Sequence, residues 1–197
     1  MRLALEDLVG RDSRLAAILE RLGPPPLWRR EPGFPTLVHM ILEQQVSLAS
    51  ARAVFDRLLR SVAELTPERF AALQADELRG LGFSRQKIRY CHGLAAALLD
   101  GSLDLSKLDE MENEDVRREL VRLPGIGPWT AEVYLLMALG RPDAWPVGDL
   151  ALAVAAQDVL ELEERPSASE LEELGEAWRP WRAVAARVLW HHYLGGV

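Results

Sequence analysis

The stretch Leu120-Val121-Arg122-Leu123-Pro124-Gly125-Ile126-Gly127-Pro128-Trp129-Thr130-Ala131 decides how the chain folds. An apolar-periodic segment runs into it and another runs out, but Pro-Gly-x-Gly-Pro is too rich in helix breakers to continue a helix. Gly125 and Gly127 tolerate positive φ and carry no Cβ to hold another molecule away. Pro128 stands where the next helix begins, a position whose missing N–H has no intrahelical partner anyway. The reading is helix, tight glycine hairpin, helix. The exposed amides and partial positive charge of such a helix start attract anions, phosphate in particular. An ordinary helical hairpin with capping glycines is the plainer alternative.

Outward from the hairpin, the same grammar repeats. Asp12 or Ser13 can cap a helix ending near Leu22, before Gly23-Pro24-Pro25-Pro26. Phe34-Pro35 opens a helix through Leu37, Met40 and Ile41, and Gln44-Gln45-Val46-Ser47 interrupts it. Ser47, Thr66 and Ser84 stand as caps before further helices, and Ser167-x-x-Glu170 fits a capping box. Asn113 can cap the first helix of the hairpin, which spans about 114–140. Arg141-Pro142-Asp143-Ala144-Trp145-Pro146-Val147-Gly148 reads as a loop, with Asp149 at the entry to the next helix. No segment alternates as a strand would. The fold class is all-α, with about ten helices.

Composition narrows the function classes. Apolar residues make up 49% and charged residues 27% of the 197, which suits a globular protein with a real core. Cys91 is the single cysteine, which excludes an internal disulfide and a four-cysteine zinc or iron–sulfur site. No apolar run is long enough to span a bilayer, and Met1–Asp7 does not read as a signal peptide; a cytoplasmic protein is expected. The net charge of −7 opposes broad, non-specific nucleic-acid binding, yet it is unevenly spread. Leu78–Leu99 holds Arg79, Arg85, Lys87 and Arg89 without an acid, whereas Glu161–Glu176 holds seven glutamates against Arg165. A polyanion is therefore admissible if a local patch and backbone amides do the holding.

The order of motifs then becomes informative. Eighteen residues beyond Ala131, after Pro146-x-Gly148, stands Asp149. Upstream lie Ile41-Leu42-Glu43-Gln44-Gln45-Val46-Ser47 and Gly82-Phe83-Ser84-x-x-Lys87; downstream, Arg179-Pro180-Trp181-Arg182 leads to Trp190. From about Asp12 to Tyr193 the chain resembles the helix-hairpin-helix DNA base-excision glycosylases, and within them the 3-methyladenine DNA glycosylase II family without an N-terminal β domain.

The resemblance implies one domain over 1–197, with two helical subdomains flanking a DNA-binding cleft. One would comprise about 1–30 plus 145–197, the other about 31–144. It implies a monofunctional enzyme that flips out an alkylated purine of the 3-methyladenine type and hydrolyses its N-glycosidic bond, leaving an abasic site in base-excision repair. Asp149 would be catalytic. Trp129, Trp190 and, more weakly, Tyr134 would line the base pocket. Gln44 or Gln45 would fill the gap left by the flipped nucleotide. Gly125, Ile126, Gly127, Arg85 and Lys87 would meet the DNA backbone. The main-chain carbonyls of Val121, Leu123 and Ile126 would hold a monovalent cation; no cofactor is required and no iron–sulfur cluster is expected. The partner would be damaged double-stranded DNA, met by a monomer away from membranes.

Each assignment has a plain counterpart. Asp149 at a helix start is an N-cap worth about 1 kcal/mol. Buried tryptophans are core residues. Paired glutamines are exposed helix residues, and arginines near a helix start are a solvated face. Trp129 occupies the position where bifunctional relatives carry a Schiff-base lysine, so strand cleavage is not expected. Leu150 and Gly148 depart from the family's usual neighbours of the aspartate, giving a less aromatic, more open pocket. Two alternatives remain: a non-catalytic helix-hairpin-helix DNA-binding protein, and a glycosylase for oxidised or deaminated bases.

Overall fold

A computed structural model describes residues 1–195. Among them are α-helices and 3-10 turns and no strand. The helices are α1 (Arg2–Arg11), α2 (Ser13–Leu22), α3 (Phe34–Glu43), α4 (Leu48–Ser61), α5 (Pro67–Ala72) and α6 (Ala75–Gly80). They continue as α7 (Arg85–Leu99), α8 (Asn113–Val121), α9 (Pro128–Met137), α10 (Leu150–Val159), α11 (Ala168–Gly175) and α12 (Arg182–Gly195). The all-α expectation holds. Helix α1 was not anticipated, because only Ala4 and Leu8 of it are buried and so thin a stripe leaves little periodicity to read.

The cap residues act as their chemistry suggests. Asp12, Ser47, Thr66, Ser84, Asp149 and Ser167 each accept an amide of the first turn that follows. Asn113 differs: it is the first residue of α8, behind Glu112, and no side-chain cap bond forms there.

The chain folds into two compact units, Met1–Arg29 with Leu135 onward and Arg30–Tyr134. The second division lies inside α9, not near residue 145 as the breaker-rich loop suggested. The reason is that this loop is bonded into the first unit. Ala183 N donates to Pro142 O at 3.0 Å. Arg182 grips both carboxylate oxygens of Asp143 at 3.0 Å. Breakers end helices; they do not by themselves divide a core.

In the first unit α12 is the central element. Arg182 through Trp190 are buried without interruption, as an alanine- and valine-rich helix apolar on every side should be. It packs against α10 and α2. Trp145 and Trp178 meet edge to face, with centroids 5.4 Å apart. The Trp145 indole N–H donates to Leu171 O at 2.9 Å, and that of Trp178 to Asp12 Oδ2 at 3.0 Å.

In the second unit α3 supplies the core, with Phe34, Leu37, Val38, Met40, Ile41 and Leu42 all buried. It packs on α4 and α7, while α5 packs on α7. Phe70 of α5 meets Phe34 edge to face at 5.7 Å. Helices α8 and α9 form the hairpin, closed below its turn by Arg117 donating to Glu132.

Candidate active site and nucleic-acid interface

The first unit carries the carboxylate. Pro146 O accepts the Asp149 amide at 2.9 Å, turning the loop into α10, and Asp149 O accepts the Ala153 amide at 3.0 Å. The side chain caps the helix: Oδ1 accepts Leu152 N at 2.8 Å. The same oxygen accepts the Trp190 indole N–H at 3.0 Å. Both bonds fall on Oδ1, so capping the helix does not prevent the carboxylate from holding a second partner. Trp190 is 8% exposed, and its ring meets Trp28 edge to face at a centroid distance of 6.3 Å.

The second unit carries the glycine hairpin. Leu123 N donates to Leu120 O at 3.1 Å, Ile126 N to Leu123 O at 3.0 Å, and Ala131 N to Gly127 O at 3.0 Å. Gly125 sits at φ 94°, and a Cβ there would lie 2.3 Å from the Tyr90 ring. Only glycine fits. Gly127 is different: its φ is ordinary and a Cβ would meet nothing within 4 Å, so the space beside it is open. Ile126 between them is buried and pins the turn to the core.

The end of α3 is built onto this hairpin. Gln44 Nε2 donates to Gly125 O at 2.8 Å and to Thr130 Oγ1 at 3.1 Å. Lys87 Nζ donates to Leu42 O at 2.6 Å, satisfying a carbonyl at the helix end. Burial lowers the Lys87 pKa from its ordinary value. Gln45, held at φ 57°, is exposed. Left-handed backbone costs a side-chain-bearing residue about 1–2 kcal/mol, and here it turns Gln45 outward. Gln44, Gln45, Lys87, Tyr90, the hairpin turn and the half-buried Trp129 line one concavity of about 690 Å³.

Several expected site residues have other occupations. Gln44 is a brace for the hairpin; of the two glutamines, Gln45 is the exposed one. Lys87 spends its ammonium on Leu42, whereas Arg85 is exposed at the start of α7. Tyr134 is wholly buried and its hydroxyl accepts Gly33 N at 3.0 Å, so it is a core residue rather than a pocket wall. Trp190 presents its N–H to the carboxylate. Trp28, Tyr90 and Arg187 escaped the sequence reading, because each acts through a partner distant in sequence and leaves no local pattern.

A sequence model described as HhH-GPD superfamily base excision DNA repair protein matches residues 38–180. The chain belongs to this family. Among its relatives is the putative DNA-3-methyladenine glycosylase YfjP of Bacillus subtilis, 30% identical over 89% of this chain and 64% of that protein. The chain thus spans less than two thirds of that relative's length. Among solved structures it is similar to the Schizosaccharomyces pombe 3-methyladenine DNA glycosylase Mag1 in complex with abasic DNA. There the TM-score is 0.87 at 26% identity, covering 95% of this chain and 94% of the other. The DNA-3-methyladenine glycosidase of Bacillus halodurans gives a TM-score of 0.82 at 32% identity, covering 96% and 88%. The hairpin and Asp149 both lie within the residues that the family model matches.

Proposed function

We propose that this HhH-GPD protein is a monofunctional DNA glycosylase of base-excision repair. It flips an alkylated purine of the 3-methyladenine type out of duplex DNA and hydrolyses the N-glycosidic bond, leaving an abasic site. The observation that carries this reading is Asp149, a carboxylate fixed on Oδ1 by Leu152 N and Trp190 Nε1, in a member of a base-excision repair family. The names and high structural similarity of Mag1 and the Bacillus halodurans glycosidase support the substrate class.

The chemistry follows from the charges. As the bond from C1′ to the base nitrogen lengthens, the sugar gains oxocarbenium character, and the Asp149 carboxylate stabilises that positive charge. A purine alkylated on a ring nitrogen is already cationic and leaves as a neutral base, carrying the bond's electron pair. Water then adds to C1′ and gives up a proton, completing hydrolysis. No lysine at position 129 is available to attack C1′, so the product strand stays intact.

Holding the substrate falls to the other unit. The Ile126 amide is spent on Leu123 O, so the amides of Gly125 and Gly127 are the ones suited to a backbone phosphate, with exposed Arg85 adding positive charge. Exposed Gln45 is suited to fill the space the flipped nucleotide vacates, where its amide can bond the orphaned partner base. Trp129 offers an electron-rich face to a cationic purine, worth about 0.5–2 kcal/mol. A monovalent cation in the hairpin would be held by the carbonyls of Val121, Leu123 and Ile126. Leu123 O accepts one amide, and a carbonyl oxygen has a second lone pair for an ion. The chemistry needs no further cofactor. The protein would work as a cytoplasmic monomer; among the described residues no helix is long and apolar enough to cross a membrane.

The test is direct. Purified protein incubated with N-methylated duplex DNA should release free 3-methyladenine, measured by chromatography, and the strand should break only after alkali. Binding without release would favour the non-catalytic reading. Spontaneous nicking would overturn the assignment from Trp129.

A further inference from the structure

Arg187 of α12 is 6% exposed and its guanidinium meets no carboxylate in the bonds the structure assigns to it. It donates instead to three carbonyls: Leu27 O at 2.9 Å, Ala183 O at 3.1 Å and Leu136 O at 2.8 Å. Burial pushes its pKa down to about 10. A buried cation that only gathers carbonyls is costly, and a neutral side chain of similar volume would pack at least as well. What Arg187 achieves is specific: it ties the proline-rich connection after α2 to the central helix at Leu27.

The next residue is Trp28, held at φ 43°, a left-handed conformation uncommon for a bulky side chain. That turn sets the Trp28 ring edge to face against Trp190, with an interplanar angle of 77°. Trp190 in turn donates its indole N–H to Asp149 Oδ1 at 3.0 Å. Every link lies within the first unit, and each is a geometric constraint on the next.

We infer that Trp28 and Trp190, anchored by Arg187, form a positioning relay that fixes the rotamer of the Asp149 carboxylate. The helix cap supplies Leu152 N as one donor to Oδ1, and each further donor narrows the carboxylate's freedom to pivot. The indole N–H supplies the second, and the Trp28 ring prevents the indole from swinging away. Trp190 and Trp28 are positioning residues that act through Asp149. The role in turnover rests on the glycosylase reading above; the geometric role does not.

Two measurements on the full chain separate these. In protein labelled with 15N-tryptophan, the Trp190 indole resonance is identified by its loss in Trp190→Phe among the signals of the six tryptophans. It should shift in Asp149→Ala and again in Trp28→Ala, whether or not the protein releases base. A Trp190 resonance unmoved by Asp149→Ala overturns the relay. In single-turnover excision from methylated duplex, Trp190→Phe retains the ring and loses the donor. Its rate should fall about tenfold while affinity for abasic-site DNA stays within about twofold. Arg187→Met should lower the rate less, in the same direction. A Trp190→Phe rate within twofold of wild type, or a loss of affinity matching the loss of rate, overturns it. If wild type releases no base, the glycosylase reading fails, and the resonance shifts alone decide the relay.

Discussion

The carboxylate site and the glycine hairpin are built on opposite principles. Around Asp149 the work is done by buried side chains that constrain one another: Trp190, Trp28 and Arg187, with Arg182 gripping Asp143 in the loop before it. At the hairpin the contact surface is backbone, with side chains used mainly to clear or brace it. Tyr90 fills the space against Gly125 and Gln44 binds the Gly125 carbonyl, while the space beside Gly127 is open. The difference matches the two tasks proposed for them. A group that must stabilise charge developing at one atom needs preorganisation, and reorientation at the moment of reaction is what buried partners prevent. A surface that must accept any sequence needs donors that every residue carries, and the peptide N–H is such a donor.

The largest expected effect separates the two regions outright. Asp149→Asn keeps a good N-cap and a similar shape but removes the charge, so base release should fall about 100-fold or more while Tm stays nearly constant. Affinity for abasic-site DNA should change by no more than about threefold, because uniform binding does not depend on this group. A parallel loss of affinity would mean that the carboxylate also holds DNA, and the division of labour would break.

A second pair of variants tests the hairpin within itself. Gly125→Ala places a methyl against Tyr90 at φ 94° and should cost about 1–3 kcal/mol of stability, with DNA affinity falling about tenfold. Gly127→Ala meets no protein atom within 4 Å, so Tm should hold while affinity alone declines. Thermal denaturation beside fluorescence anisotropy decides both. If Gly127→Ala leaves affinity intact, phosphate does not approach that amide.

Gln45 should give a smaller and oppositely signed pair of effects. Gln45→Gly relieves the left-handed backbone and should raise stability by about 0.5–1 kcal/mol. It also removes the side chain proposed to fill the gap, so single-turnover excision should slow by about fivefold. A variant both less stable and equally fast would remove Gln45 from the interface.

The last effect, on stability alone, lies away from both regions. The Arg14 guanidinium bonds Asp12 and, with the Trp178 indole N–H, holds its carboxyl down to about 2 despite burial. A carboxyl whose folded-state value is depressed contributes fully above the unfolded value near 4, and that contribution is lost as pH falls towards about 2. Asp12→Ala should therefore lower Tm at pH 7 by an amount equivalent to about 1–2 kcal/mol, loss of a helix cap. The gap from wild type should close between about pH 4 and pH 2. A gap independent of pH would show that packing of Trp178, not the charge, is what Asp12 secures.

How much could be read in advance depended on how local the physics was. The helix starts at Ser47, Thr66, Ser84, Asp149 and Ser167 were legible, because a cap is written within four residues. So was the hairpin, whose turn is set by Gly125 at positive φ. The site was less legible. Gln44 and Gln45 are chemically identical, and only the fold makes one a brace and the other an exposed tip. Tyr134 and Trp190 carry pocket-type side chains, yet one bonds Gly33 in the core and the other bonds Asp149.

What the sequence by itself determined is therefore the all-α class, the glycine hairpin and the aspartate at a helix start, since those follow from backbone preferences of adjacent residues. The tertiary structure alone decided which unit the loop before Asp149 joins and which glutamine faces outward. It also brought Trp28, Trp190 and Arg187 to bear on one carboxylate. Those outcomes depend on partners scores of residues apart, and they are chosen when the core packs, where no local propensity reaches.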